Sequence, residues 1–150
     1  MSTLRSSLGV LVIVIAATTS VRSQEPSAAG RIKVVSGSAF VIRQTAAIPA
    51  EPGQTVFETD GLRTGTDGRI GVTLKDDTRV SLGPSSELRL QRFTYEPGRG
   101  SFGMVLQFVQ GVAAYVSGRM AKLAPQSIRL ETPAAIVGVR GTSLAIRVDP

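Results

Sequence analysis

Residues 102–118 read FGMVLQFVQGVAAYVSG, and the pattern permits two conformations. Phe102, Val105, Leu106, Val109, Val112, Ala113 and Val116 recur at the spacing of one helical face, so periodicity alone allows a helix. A helix would leave Met104, Phe108 and Tyr115 on its polar side. It would also carry Gly103, Gly111 and Gly118 and many β-branched residues, which suit strands better than helix interiors. The expectation is two strands meeting around Gly111.

The surrounding chain points the same way. Ile70, Val72 and Leu74 alternate with Gly71, Thr73 and Lys75, and Val80 and Leu82 alternate with Arg79 and Ser81, which places one face of each run in a core. Leu88 and Leu90, Ile128 and Leu130, then Val137, Val139, Ile146 and Val148 continue the pattern. Asp60-Gly61, Asp67-Gly68, Asp76-Asp77 and Gly83-Pro84 supply turns at hairpin spacing. The similarity of TDGLR (59–63) to TDGR (66–69) is explained by two adjacent turns, since a repeat architecture needs at least about three copies. The expected fold is all-β: a single domain of about ten short, mostly antiparallel strands, of sandwich or roll type. The length of 150 residues suits one such domain.

The N-terminus differs. Leu8–Ala17 is continuously apolar after a start bearing only Arg5; it is shorter than the roughly 20 residues needed to cross a bilayer and matches a secretory signal. Residues 1–23 are expected to be a signal peptide cleaved before Gln24, residues 24–30 (QEPSAAG) a linker, and residues 31–150 the domain. An uncleaved anchor is the rival reading, opposed by Thr18, Thr19, Ser20 and Arg22. A periplasmic or secreted location follows, with no transmembrane helix in the mature chain. No cysteine is available for a lipid anchor.

Cleavage would remove Arg5 and Arg22 from the 17 basic residues and none of the 11 acids, leaving +4. These charges are scattered singly, as on an ordinary solvated surface. The absence of histidine and cysteine excludes a Ser-His-Asp triad, a Cys-His pair and His- or Cys-ligated zinc. Asp60, Asp67, Asp76 and Asp77 fall at turn positions where aspartate binds its own backbone, and their spacing does not suit calcium. No catalytic residue, metal or cofactor is expected. GVRGTS (138–143) lacks the lysine of a phosphate loop and leads into a strand. RGSFGMVLQF (99–108) only partly matches an RNA-recognition strand, with Met104 where an aromatic would stack, so nucleic acid is not an expected partner.

Four stretches carry a family resemblance: RIKVVSGSAFV (31–41), DGLRTG (60–65), DGRIGVTLKDDTRVSLGPSSELRL (67–90) and TPAAIVGVRGTSLAI (132–146). Together they resemble the FecR domain, a periplasmic all-β module. Asp77 stands where the family commonly has glycine, and aspartate tolerates the left-handed backbone better than most residues. Members normally continue with further strands, so the domain ending at Pro150 is expected to be either short or lacking C-terminal strands. The resemblance implies binding rather than catalysis. In membrane-crossing members the domain passes a signal from an outer-membrane receptor to a cytoplasmic sigma factor. Residues 1–30 are too few for the anti-sigma segment and membrane helix of those members, so direct sigma-factor control is not expected.

The candidate binding residues are Arg140 with Gly138, Gly141 and Thr142. The two glycines are expected to bulge the strand and aim Arg140 outward while Val137, Val139 and Ile146 stay packed. The guanidinium then either bridges groups within the domain or, with the strand edge after Val148, receives a partner. The expected function is an exported, non-catalytic interaction or sensory module of the cell envelope that binds a protein. The alternatives are a protein that binds envelope surface or glycan, or an envelope-polymer enzyme working through carboxylates.

Overall fold

The computed structural model describes residue 20, residues 22–139 and residues 143–150. Most of the expected signal peptide, residues 1–19 and 21, lies outside the described residues. The strands are β1 (Ala28–Ser36), β2 (Ala39–Arg43), β3 (Ala46–Pro49), β4 (Thr55–Phe57), β5 (Gly61–Thr64), β6 (Arg69–Leu74), β7 (Arg79–Leu82), β8 (Glu87–Glu96), β9 (Ser101–Val116), β10 (Ile128–Glu131), β11 (Ile136–Gly138) and β12 (Ser143–Val148). A one-turn helix, Met120–Leu123, follows β9. The fold is all-β, with twelve strands among the described residues where about ten were expected. β3, β4 and β11 have three or four residues each, too few to show a period.

The strands form one curled sheet in the order β3-β2-β5-β8-β9-β7-β6-β1-β4. β10 and β12 lie against β9 off this path, and β11 pairs with β10. Every pairing is antiparallel except β10 with β9.

Residues 102–118 correct one expectation, because Ser101–Val116 is a single strand of 16 residues rather than two. Gly111 nevertheless marks a boundary inside it. Residues up to Gln110 pair with β8 and β10, whereas Gly111–Val116 pair with β7 and β12. Gly111 has φ 91°, a left-handed conformation that disfavours any side chain. A Cβ there would also collide with Ser86 and with the Ser85 carbonyl.

The connectivity shows how sharp this corner is. Gly138 pairs with Arg129, which lies beside Val105, whereas Ser143 pairs with Val116. A straight strand would separate Val105 from Val116 by about 36 Å, but the five residue steps from Gly138 to Ser143 span at most about 18 Å. β9 is therefore bent at Gly111, and its two halves belong to facing walls of one core.

That core is where the alternation put it. Ile32, Ile70, Val72, Val80, Leu82 and Tyr115 come from one wall, and Val41, Leu62, Leu88, Leu90, Met104, Leu106 and Phe108 from the other; all are buried. Ile128, Leu130 and Met120 close it. Burying each large side chain contributes about 1.5–3 kcal/mol. β1 begins at Ala28, three residues inside the expected linker, and Ala29 is fully buried. The small residues that suggested a linker serve close packing: a Cβ on Gly30 would strike the Thr73 carbonyl and Leu74 backbone across the β1–β6 ladder.

Asp77 adopts φ 67°, so the turn keeps its left-handed form with aspartate in place of glycine.

Candidate functional site

Of the sequence-derived site residues, Arg140, Gly141 and Thr142 lie outside the described residues. Gly138 is the last residue of β11 and exposed, and a Cβ there would meet nothing within 4 Å. It is not among the residues with positive φ, and the β10–β11 register runs without a shift. The β10–β11 ladder is regular up to Gly138, and the expected bulge around Arg140 lies outside the described residues. Val139 is buried and Ile146 packs against the core, as expected. Val137 is not packed: it is 39% exposed and Ile136 is 69% exposed, because β11 lies beyond β10 and pairs with no other strand among the described residues.

What flanks the undescribed residues is a strand with a free edge. β12 pairs along its whole length with β9, Ser143↔Val116 to Val148↔Gly111, and with no other strand among the described residues. Leu144, Ile146 and Val148 turn inward onto the core, while Ser143, Ala145 and Arg147 are exposed. An unpaired edge of this kind offers a row of main-chain donors and acceptors to an incoming strand. Two other outer strands are blunted: β3 ends on Pro49 and β4 has only three residues. β12 has six residues, no proline and one charge, Arg147.

Sequence reasoning missed the grooves beside β11 and the exposed Ile136 and Val137 next to them. A groove of about 330 Å³ lies between Arg92, Phe102 and Gly103 on one side and Gln126, Ile128 and Val137 on the other. A second, of about 370 Å³, adjoins it at Gly138 and Val139. Phe102 packs obliquely on Tyr95, with ring centroids 6.0 Å apart. Ile136 and Val137 continue the apolar alternation, so only the topology, which leaves β11 outermost, marks them as surface.

The four turn aspartates hold the fold. Asp60 receives the Arg43 guanidinium through two bonds, Nε to Oδ1 at 2.9 Å and Nη2 to Oδ2 at 2.8 Å, and the Phe57 N–H at 2.8 Å. The same guanidinium lies 4.7 Å from the Phe57 ring centroid. This carboxylate raises the Arg43 pKa through its hydrogen bonds, against the opposing effect of burial. Asp76, fully buried, accepts the Thr78 N–H at 3.1 Å, the Thr78 hydroxyl at 2.7 Å and the Met120 N–H at 3.3 Å. Asp67 accepts the Ser38 N–H, which lowers its pKa, and Asp77 pairs with Arg119 at 2.9 Å. No cluster of three or more acidic side chains suited to a metal occurs among the described residues.

Fold and edge together define a single-sheet β-domain with a strand, β12, paired on one side among the described residues. The chain belongs to the FecR family: the family model described as FecR protein matches residues 60–150, more than half of the chain. This is a regulatory and signalling family associated with the cell envelope. No curated protein and no solved structure matches the chain. The family match begins at Asp60, yet β1 and β2 pair with β6 and β5 inside the same sheet, so the folded unit starts well before it. No helix among the described residues is long and apolar enough to cross a membrane.

Proposed function

We propose that the chain is exported, loses residues 1–23, and serves in the envelope as a non-catalytic signalling module that captures a protein partner by strand addition at β12. One observation carries this reading: β12 is a six-residue strand, fully paired on one side and, among the described residues, open on the other. Family membership supports it, since FecR proteins are regulatory. The partner's backbone supplies affinity by completing the ladder, and the apolar ground at Ile136 and Val137 supplies selectivity for its side chains. Arg140, three residues before β12 in the sequence, is the cation proposed to contact the partner.

A photo-crosslinking residue at Ala145 tests the proposal, with Ala46 on β3 as the control edge. The expected result is one envelope protein joined at Ala145 and absent at Ala46. Equal adducts at both positions, or none at Ala145, would refute capture at β12.

A further inference from the structure

The ion pairs of this molecule are unevenly distributed. Arg63 and Arg89 share Glu87, Arg129 pairs with Glu131, Arg43 with Asp60, Arg99 with Glu96 and Arg119 with Asp77. Among the described residues of the mature chain, the basic side chains without an acidic partner are Arg31, Lys33, Arg69, Lys75, Arg79, Arg92, Lys122 and Arg147. Six of these eight, all but Arg92 and Lys122, belong to β1, β6, β7 and β12 or, for Lys75, directly follow β6.

Register places them on one surface. The inward row Ile32, Val72, Val80, Tyr115 and Leu144 faces the core, so the alternating positions face out. One outward row runs Val34, Gly71, Ser81, Ala114 and Ala145 across five strands. The row on one side of it holds Arg31, Thr73, Arg79, Val116 and Ser143. The row on the other side holds Ser36, Arg69, Val112 and Arg147. The middle row is low, and a shallow trough of about 470 Å³ runs over Gly71, Ser81 and Ala114 with Val34, Arg69 and Val112 at its rim. Arg69 and Arg147 lie three strands apart, about 14 Å, with Arg79 on the opposite bank. These rows contain no acid, although Asp67, Asp77 and Asp149 each lie two residues in sequence from Arg69, Arg79 and Arg147.

We infer that this face docks on an anionic phospholipid leaflet, through phosphate headgroups seated among Arg69, Arg79 and Arg147. Long basic stems rising from a floor of Gly, Ser and Ala make the charges the outermost layer, which suits a flat anionic surface. Apart from the open edge of β12, the main-chain groups in these rows are engaged in the ladders, so a peptide laid across the face gains no strand pairing. The rows hold no aromatic anchor of the kind on which protein interfaces centre. A second copy presents the same positive face and is repelled. Val34, 60% exposed, stands at the end of the floor row and dips between headgroups. Docking by this face leaves the main-chain edge of β12 open, so the inference adds to the proposed partner capture and stands independently of it.

The test is co-sedimentation of the full chain with phosphatidylcholine vesicles, with and without phosphatidylglycerol. Leu8–Ala17 contributes apolar affinity to both, so the readout is the ratio of the two partition coefficients. The triple variant R69Q/R79Q/R147Q should lower that ratio on the order of a hundredfold, and R63Q/R89Q/R129Q, of equal charge change but on the other wall, should leave it near the wild-type value. Added salt should abolish the wild-type preference. A wild-type chain with no preference for phosphatidylglycerol would overturn the inference, as would a preference that R69Q/R79Q/R147Q retains. Displacement from the vesicles by polyglutamate at matched charge would assign the face to an acidic protein segment and also overturn it. Thermal melts confirm that each variant is folded; the substituted residues are all exposed.

Discussion

Ser86 and Val112 hold each other in both directions. The Ser86 hydroxyl accepts the Val112 N–H at 2.9 Å and lies 3.1 Å from the Val112 carbonyl, to which it can donate. Ser86 is completely buried, and this contact fastens the turn between β7 and β8 to β9 at the corner made by Gly111.

Removing that hydroxyl should loosen the corner. Ser86→Ala strands the Val112 N–H in a dry site and is expected to cost about 1–3 kcal/mol in urea unfolding. Gly111→Ala meets both a left-handed backbone and the Ser86 side chain, so it should cost more than Ser86→Ala. Equal stability of Gly111→Ala and wild type would mean that β9 does not turn at this residue.

Asp76 should matter to stability out of proportion to its place in a turn. Its carboxylate joins Thr78 to the Met120 helix, and its own carbonyl accepts the Arg119 N–H at 2.6 Å. Asp76→Ala is expected to lose about 3 kcal/mol or more, since two buried N–H groups and one hydroxyl lose their acceptor. Asp76→Asn, which keeps one acceptor oxygen, should fall between. A cost for Asp76→Ala below that of Ser86→Ala would show that the helix is held by other means.

Tyr115 gives the alkaline limb of stability a specific origin. Burial pushes its phenol above the ordinary tyrosine range, outweighing the opposing influence of the neighbouring Ser117 and Thr78 side chains, and the Asp76 charge adds to the rise. In the unfolded chain the phenol ionises near about pH 10. Its contribution is therefore complete below that pH and declines as pH rises toward the higher folded value. Tyr115→Phe should lose less stability than wild type between neutral and strongly alkaline pH. Parallel pH profiles for the two proteins would contradict the assignment.

Much of the fold could be read from the chain because its signals are local. Ile70, Val72 and Leu74, then Val80 and Leu82, alternate in sequence and are buried in the structure. Asp60, Asp67 and Asp76 mark turns because a short carboxylate binds nearby N–H groups. The continuity of β9 was not readable: Gly111 looks like a break, and only the strands on either side show that one strand passes from wall to wall. Nor was the exposure of Val137, which has the same alternation as Val139 but falls on an outermost strand. The candidate site proposed here was not legible in the sequence. Arg140, Gly141 and Thr142 were singled out by composition, whereas the open edge of β12 and the unpaired cations on its face depend on pairings between distant segments.

Amide hydrogen exchange of β12, with and without the protein trapped at Ala145, tests partner capture most directly. Strand addition predicts new protection at the outward-facing amides of Ser143–Val148, alternating residue by residue, with β3 unchanged. Unaltered exchange along β12 in the presence of the bound partner would contradict it.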